Sequence, residues 1–234
     1  MARINLGDTL RRLGRTEEAV VIFEELLRTH PDPEIFNDLG LLYTTSGRAE
    51  EGYKLLQRAV ALRPQRAQFH NNLGSALRSL GRLPEAVAAC RRAVELDPLS
   101  GSATYNLGLT LADANLHDEA VAVLREAVRW NPRQSEPLEA LGRSLGHLRR
   151  SDEAVGVLRQ AVAMNPQSAS VHNSLGTVLA EAGRLSEALA EFESAVRLDT
   201  RMVSARLNLG SAFFSARRWE EAAAQFTAVL ELRP

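Results

Sequence analysis

One segment of the chain has the residue pattern of a serine nucleophile. Gly142, Ser144 and Gly146 occupy the fixed positions of the motif G-x-S-x-G, in which a strained turn between a strand and a helix exposes the serine hydroxyl. Acyl transfer at such a serine also needs a histidine and a carboxylate beside it. The surrounding sequence has the apolar spacing of helices and no strand pattern. We therefore interpret the motif as a coincidence, and the sequence predicts no catalytic residue and no enzyme.

The residues that bind metals or act as thiol nucleophiles are few. The five histidines do not occur at i, i+4 spacing with carboxylates, as zinc ligands on a helix do. We therefore expect no metal and no cofactor. His70 and His172 occupy equivalent places in the repeat described below, which favours packing over ligation. Cys90, the only cysteine, lies in a column of large apolar residues, so we expect a buried, unreactive thiol.

Composition and charge exclude several classes of partner. The chain has 28 basic and 29 acidic residues and a net charge of −1, so no overall field attracts nucleic acid or an anionic membrane. No apolar run is long enough for a signal peptide or a membrane span. We expect a soluble, cytoplasmic protein. Only Lys54 among the basic residues is a lysine, a bias that hints at a GC-rich, bacterial genome.

The strongest signal in the chain is a repeated Leu-Gly pair. The first interval between the glycines is 33 residues and each later one is 34. A unit this short cannot bury its own apolar face and must stack on copies of itself. An apolar residue follows each glycine by three positions, which places both on one helical face, where the glycine lets a second helix approach. The glycines are Gly7, Gly40, Gly74, Gly108, Gly142, Gly176 and Gly210.

A turn and a second helix follow in each unit. Seven residues after each repeat glycine we expect the left-handed conformation that ends a helix. Acidic pairs such as Glu17 and Glu18 then mark the first turn of the next helix, because negative charge complements the helix dipole. Alanines and large apolar residues alternate along that helix at spacings of three and four. The turn positions are Gly14, Gly47, Gly81, Asn115, Arg149, Gly183 and Arg217.

The Leu-Gly pair, the two alanines, the large apolar residue between them and a final proline together resemble the tetratricopeptide repeat, a helix–turn–helix unit. The resemblance covers the whole chain in seven copies. It implies an all-α fold, a right-handed superhelical solenoid of seven tandem repeats, in a single domain over residues 1–234. The predicted repeats are 1–31, 32–64, 65–98, 99–132, 133–166, 167–200 and 201–234.

The fifth repeat departs from the others. Gly146 and Gly156 lie inside its predicted helices, and Arg149 replaces the turn glycine. Each internal glycine costs about 1 kcal/mol relative to alanine. We therefore predict weaker hydrogen-exchange protection in residues 135–166 than in the neighbouring repeats.

The resemblance also implies that the first helices line a concave groove in which partner peptides lie. Asparagines recur on this face, and their amides suit the backbone of an extended peptide. This series resembles the superhelical arm of protein O-GlcNAc transferases. In the alternative, the same amides bridge adjacent repeats, and the sequence leaves both interpretations open. The predicted groove residues are Asn37, Asn71, Asn72, Arg78, Tyr105, Asn106, Glu139, Arg143, Asn173 and Asn208.

The last predicted helix carries an apolar strip that faces solvent unless another element covers it. We expect either that the chain is a segment of a longer protein or that another copy covers the strip and forms a homo-oligomer. The strip consists of Ala223, Phe226, Val229 and Leu230.

The sequence thus predicts a non-catalytic scaffold that binds an extended peptide or a helix of a partner protein in its groove. Two alternatives stay open. The chain is the substrate-recruiting arm of a larger enzyme such as a glycosyltransferase, or it is a self-assembling structural unit.

Overall fold

The computed structural model describes residues 2–232, so the predicted limits at residues 1 and 234 lie outside it. The described residues form fourteen α-helices and no strand, which confirms the all-α prediction. None of these helices is long and apolar enough to cross a lipid bilayer. The helices are α1 (Ala2–Arg12), α2 (Thr16–Thr29), α3 (Pro33–Thr45), α4 (Ala49–Leu62), α5 (Ala67–Ser79), α6 (Leu83–Leu96), α7 (Gly101–Asp113), α8 (His117–Trp130), α9 (Glu136–His147), α10 (Ser151–Met164), α11 (Ala169–Glu181), α12 (Leu185–Leu198), α13 (Val203–Ser215) and α14 (Trp219–Leu232).

These helices follow one another as seven pairs, and each pair lies within one predicted repeat. Three residues separate the two helices of every pair, as between α3 and α4. The structure divides into two compact units, Met1–Leu116 and His117–Pro234, and the boundary falls in the turn of the fourth repeat. A single continuous solenoid stays a prediction.

The turn within each pair places one residue in the left-handed conformation, as the sequence predicts. The backbone angle φ is 59° at Asn115, Arg149 and Arg217, and the four turn glycines have φ between 72° and 84°. The next backbone N–H then donates into the preceding helix, as from Arg48 to the carbonyl oxygen of Tyr43 at 2.8 Å. These bonds satisfy carbonyl groups that a helix end would otherwise leave unpaired.

The repeat glycines mark places where two helices of a pair meet closely. A Cβ atom built on Gly176 would lie 2.6 Å from the ring of Phe192, and one on Gly210 would lie 2.7 Å from the ring of Phe226. Real Cβ atoms do not approach other atoms so closely, so only glycine fits at these positions. The column is therefore steric in origin, as its spacing indicates.

An arginine and a glutamate form an ion pair at the start of most second helices. These pairs were not predicted from the sequence. The arginine stands immediately before the helix and its partner lies three residues later. Most of these pairs are solvent-exposed, so each contributes little to the stability of the fold. Within the described residues the pairs are Arg15–Glu18, Arg48–Glu51, Arg82–Glu85, Arg150–Glu153, Arg184–Glu187 and Arg218–Glu221.

One position of the first helix forms hydrogen bonds to the chain that precedes that helix. It is occupied by His70, His172 and Arg206 in three repeats. His70 Nε2 lies 2.8 Å from the carbonyl oxygen of Pro64, and Arg206 Nε donates to that of Thr200 at 2.8 Å. His172 bonds the carbonyl of Pro166 at 3.2 Å and also lies 2.6 Å from a carboxylate oxygen of Glu191. These contacts support the packing interpretation of the two histidines.

Candidate functional site

The first helices of the repeats pack side by side within each unit. In the first unit α5 contacts both α3 and α7, and in the second unit α11 contacts both α9 and α13. We call the solvent side of these helices the first-helix face. All the predicted groove residues lie on these helices, so the structure distributes them over two surfaces, one in each unit.

Three pairs of asparagines join neighbouring first helices. Asn106 Nδ2 donates to Asn71 Oδ1 at 2.9 Å, and Asn72 Nδ2 donates to Asn37 Oδ1 at 2.8 Å, both in the first unit. In the second unit Asn208 Nδ2 donates to Asn173 Oδ1 at 2.9 Å. These hydrogen bonds bridge adjacent repeats, which is one of the two alternatives that the sequence left open.

Burial separates one of these pairs from the other two. Asn37 is 0% exposed and Asn72 is 7% exposed, whereas Asn71, Asn106, Asn173 and Asn208 are half-buried. A side chain without solvent access offers nothing to a ligand in this conformation. The inclusion of Asn37 and Asn72 among the groove residues was therefore wrong, because their amides are used inside the stack of repeats.

In each half-buried pair, the donor and the acceptor of the hydrogen bond can be assigned. Thr177 donates its hydroxyl to the backbone carbonyl of Asn173 at 2.9 Å, so its oxygen accepts from Asn208 Nδ2 at 3.4 Å. Asn208 thus directs its NH2 group inward and has its own Oδ1 left over. Because Oδ1 of Asn173 already accepts a bond, the NH2 group of Asn173 is the part that remains for a partner. The pair of Asn71 and Asn106 has the same sense.

One predicted groove residue of the first unit forms an ion pair. Arg78 Nη1 lies 3.0 Å from Asp113 Oδ2, so this predicted groove cation already has a carboxylate partner. Burial raises the pKa of the Asp38 carboxyl to about 6 against an opposing hydrogen bond from Asn37, and the nearby Asp8 raises it further. Tyr105 is half-buried on α7.

In the second unit the first-helix face contains a cavity of about 320 Å³. It lies on α9, α11 and the start of α13, and three of its polar residues, Glu139, Arg143 and Asn173, are predicted groove residues. Ligand pockets span about 300–1,000 Å³, so the volume suits a side chain with adjoining peptide groups. The principal polar residues are Glu139, Arg143, His147, Asn173, Thr177 and Glu181.

The carboxylates of this cavity are bound to other groups. Ser170 and Ser174 both donate to Oε1 of Glu139, at 2.5 and 2.9 Å, and Glu181 lies 3.9 Å from a guanidinium nitrogen of Arg149. Ser170 was missed as a site residue. Its position one helical turn before Ser174, on the same face, was the available signal.

His147, which lines the cavity, stacks on a second histidine. The rings of His117 and His147 stack with centroids 4.4 Å apart and an angle of 10° between their planes. Burial lowers the pKa of His117, and the proximity of His147 lowers it further. Both causes favour the neutral form of the His117 imidazole.

The G-x-S-x-G segment does not form a nucleophile elbow. Gly142, Ser144 and Gly146 all lie inside α9, and Ser144 is 1% exposed. Since the elbow needs a turn that presents the serine to substrate, the motif is a coincidence, as interpreted from the sequence.

The predicted apolar strip on α14 is partly accessible. Leu230 is 70% exposed, Ala223 is exposed, and Phe226 and Val229 are half-buried. Phe214 and Trp219 add an exposed edge-to-face ring pair with centroids 4.9 Å apart.

Stacked helix–turn–helix pairs with a polar first-helix face define a repeat protein of the interaction-module class. A family model described as the Cilia and flagella-associated protein 70 C-terminal domain matches residues 1–204. A tetratricopeptide repeat model matches residues 188–234. The chain belongs to the tetratricopeptide repeat family.

A curated relative and two solved structures show how far the likeness extends. Protein O-mannosyl-transferase TMTC1 from Homo sapiens is 35% identical over 68 residues, which are 29% of this chain and 8% of that protein. The chain thus spans less than a tenth of that relative.

Both solved structures cover nearly the whole chain. A tetratricopeptide repeat protein from Parabacteroides merdae ATCC 43184 has a TM-score of 0.79 at 14% identity, covering 100% of this chain and 93% of that one. The APC/C hetero-tetramer Cut9-Hcn1 has a TM-score of 0.75 at 20% identity, covering 97% of this chain and 45% of that one. At these identities the likeness shows the fold alone.

Proposed function

We propose that the chain is a non-catalytic module that binds an extended segment of a partner protein along its first-helix face. The tetratricopeptide fold supports protein interaction in general. One of the similar structures, Cut9-Hcn1, is a hetero-tetramer, and so combines two kinds of polypeptide chain. This likeness supports a partner protein but leaves the binding mode to the geometry of the first helices.

The observation that carries the proposal is the orientation of the half-buried asparagine pairs. Asn71 and Asn173 have their NH2 groups left as donors, because each Oδ1 accepts a bond from the next repeat. Asn106 and Asn208 have their Oδ1 atoms left as acceptors. Each pair therefore offers one donor and one acceptor, which is what the carbonyl and N–H of a peptide backbone require.

The bridging bonds also lower the entropic cost of binding. A free asparagine loses rotamer freedom when it binds a ligand, and that loss weakens affinity. Here a hydrogen bond of 2.9 Å to the neighbouring repeat already holds each side chain in place. Preorganised amides of this kind suit a neutral backbone better than a phosphate chain, which needs cationic groups.

A substitution separates the binding role from the bridging role. Asn173→Asp keeps an oxygen that accepts from Asn208 and replaces the NH2 group by an oxygen that cannot donate. Asn165→Asp is the matched control, because Asn165 is exposed at the end of α10 and lies off the first-helix face. Random linear peptides displayed on phage are selected on the wild-type chain and then measured against both variants.

We expect the selected peptides to bind Asn173→Asp at least about fivefold more weakly, since one hydrogen bond contributes about 1 kcal/mol. Binding to Asn165→Asp should equal that of the wild type. Equal affinity for all three proteins would contradict the proposal, as would a failure to select any peptide. Thermal unfolding of each variant verifies that the comparison concerns folded protein.

Self-association is a second candidate function, favoured by the 70% exposure of Leu230. Exposed apolar strips of this kind mark interfaces. Leu230→Glu should then lower the mass that light scattering measures at high concentration, whereas Val21→Glu, at an exposed valine of α2, should not. A monomeric wild type would contradict this candidate. The comparisons single out neither self-association nor the recruiting arm of a transferase.

A further inference from the structure

We propose that the cavity on α9, α11 and α13 selects one isolated acidic side chain of the bound peptide, with Arg143 as its anchor. The inference rests on the proposed function, because it assigns a side-chain preference to a peptide that the asparagine pairs hold. It concerns a guanidinium group that has no partner within residues 2–232.

Arg143 is exposed on the cavity side of α9, and no hydrogen bond or ion pair engages it among the described residues. Arg149 and Arg150, which follow it in the same repeat, both face carboxylates, those of Glu181 and Glu153. Arginine presents five N–H donors in a planar fork that matches a carboxylate. The cavity thus holds an unused cation of the type that binds carboxylates in two parallel bonds.

The carboxylate nearest along the helix is held away from Arg143. Glu139 lies one turn before Arg143 on α9, and an i, i+4 pair of this kind ordinarily forms an ion pair. Ser170 and Ser174 instead donate to Oε1 of Glu139, at 2.5 and 2.9 Å. Two hydroxyl donors from α11 therefore compete with the guanidinium for the same carboxylate and leave Arg143 available.

Further donors surround the same place. Asn173 lines the cavity, and its NH2 group is the part left to donate because its Oδ1 accepts from Asn208. His147 lies one turn after Arg143 and is exposed, so a ring N–H can add a donor. An incoming carboxylate with two oxygens can accept several of these bonds at once.

The flanking acids restrict the ligand to a single negative charge. Glu139 lies one turn before Arg143 on α9, and Glu181 also lines the cavity. A run of acidic residues would place further carboxylates beside them, and like charges repel. The chemistry therefore fits a peptide with one acidic side chain between neutral neighbours.

Three synthetic peptides test the assignment on the complete chain. The first is acetyl-Ala-Ser-Ala-Glu-Ala-Ser-Ala-amide, and the second carries Gln in place of Glu. The third is the Gln peptide with a free C-terminal carboxylate, which distinguishes a chain terminus from an acidic side chain. Affinities are measured by titration of the 15N-labelled protein.

We expect the Glu peptide to bind about tenfold more tightly than the amidated Gln peptide, as a charge-assisted pair does relative to a neutral one. Arg143→Gln should abolish this difference. The matched control Arg133→Gln should preserve it, because Arg133 is exposed outside the cavity. A gain for the third peptide alone would overturn the side-chain assignment.

A second variant keeps Arg143 and changes only its surroundings. Ser170→Ala with Ser174→Ala removes the hydroxyl donors from Glu139, which can then pair with Arg143. The Glu peptide should lose affinity and the Gln peptide should not. If Glu and Gln peptides bind equally to the wild type, the anchor is refuted while backbone binding stands. If neither peptide binds, both proposals fail.

Discussion

The side chain of Asn208 donates to that of Asn173 at 2.9 Å, and this one bond has two consequences. It joins two repeats of the second unit, and it leaves the NH2 group of Asn173 as the part of that side chain that can bind a partner. The bridging and binding interpretations of the asparagines, which the sequence presents as alternatives, are therefore compatible at this pair. They are not compatible at Asn37, whose side chain is 0% exposed.

Burial should determine how much each bridge contributes to stability. Asn72→Ala leaves Oδ1 of the fully buried Asn37 without its donor, and we expect a loss of about 1–3 kcal/mol in the free energy of unfolding. Asn208→Ala leaves a half-buried acceptor that water can reach, so its loss should be below about 1 kcal/mol. Urea denaturation followed by circular dichroism measures both. Equal losses would contradict the burial argument.

The buried carboxyl of Asp38 should make stability depend on pH. Its pKa is raised to about 6, mainly by burial, so the folded state binds its proton more tightly than the unfolded state, where the pKa is about 3.9. This group therefore destabilises the fold fully above pH 6, and the penalty disappears as the pH falls toward 4.

Asp38→Asn removes that titration while it keeps an oxygen that can accept from Asn37. The variant should be more stable than the wild type at pH 7, by about 1 kcal/mol after allowance for partial exposure, and the two should converge near pH 4. Glu50→Gln, at an exposed glutamate, is the control and should leave the pH dependence unchanged. An Asp38→Asn profile parallel to the wild type would count against the raised pKa.

Arg217, which lies between α13 and α14, has a backbone conformation that favours glycine. Arg217 has φ of 59°, and a residue with a Cβ atom pays about 1 kcal/mol or more there. Arg217→Gly should therefore raise the stability of the last repeat relative to Arg217→Ala, which removes the same charge without relieving the backbone. The difference between the two urea midpoints is the measurement, and a more stable alanine variant would refute the strain.

Two glycines in the fifth repeat should respond oppositely to alanine. A Cβ atom at Gly156 would meet nothing within 4 Å, whereas one at Gly146 would lie 2.9 Å from Cγ2 of Val178. Gly156→Ala should stabilise by about 1 kcal/mol, and Gly146→Ala should destabilise because valine is stiff. Hydrogen exchange of α9 and α10 reports both changes. It also tests the weaker protection predicted for residues 135–166.

The local features of the fold could be predicted from the sequence because each repeat restates them. The close contact at Gly176 and the left-handed turn at Gly183 are short-range requirements of one helix pair. Both can be recognised in the sequence because they recur at an interval of 34 residues. Even Arg149 and Arg217, which do not suit the conformation, were placed correctly by their register. Seven copies of the pattern compensate for single departures.

The partners of the site residues could not be predicted in the same way. Arg78 pairs with Asp113, which lies 35 residues away in sequence, and Asn72 bonds Asn37 across the same separation. Such contacts depend on how one repeat meets the next. Helical spacing places these residues on one face but does not distinguish a buried amide from an exposed one.

The most direct test of the account observes the side-chain NH2 resonances of the asparagines while a phage-selected peptide is added to 15N-labelled protein. We predict saturable shifts for Asn71 or Asn173, whose NH2 groups are left as donors, and none for Asn37, which is fully buried. Shifts confined to residues on the second helices, with the signals of Asn71 and Asn173 unchanged at saturation, would contradict binding on the first-helix face.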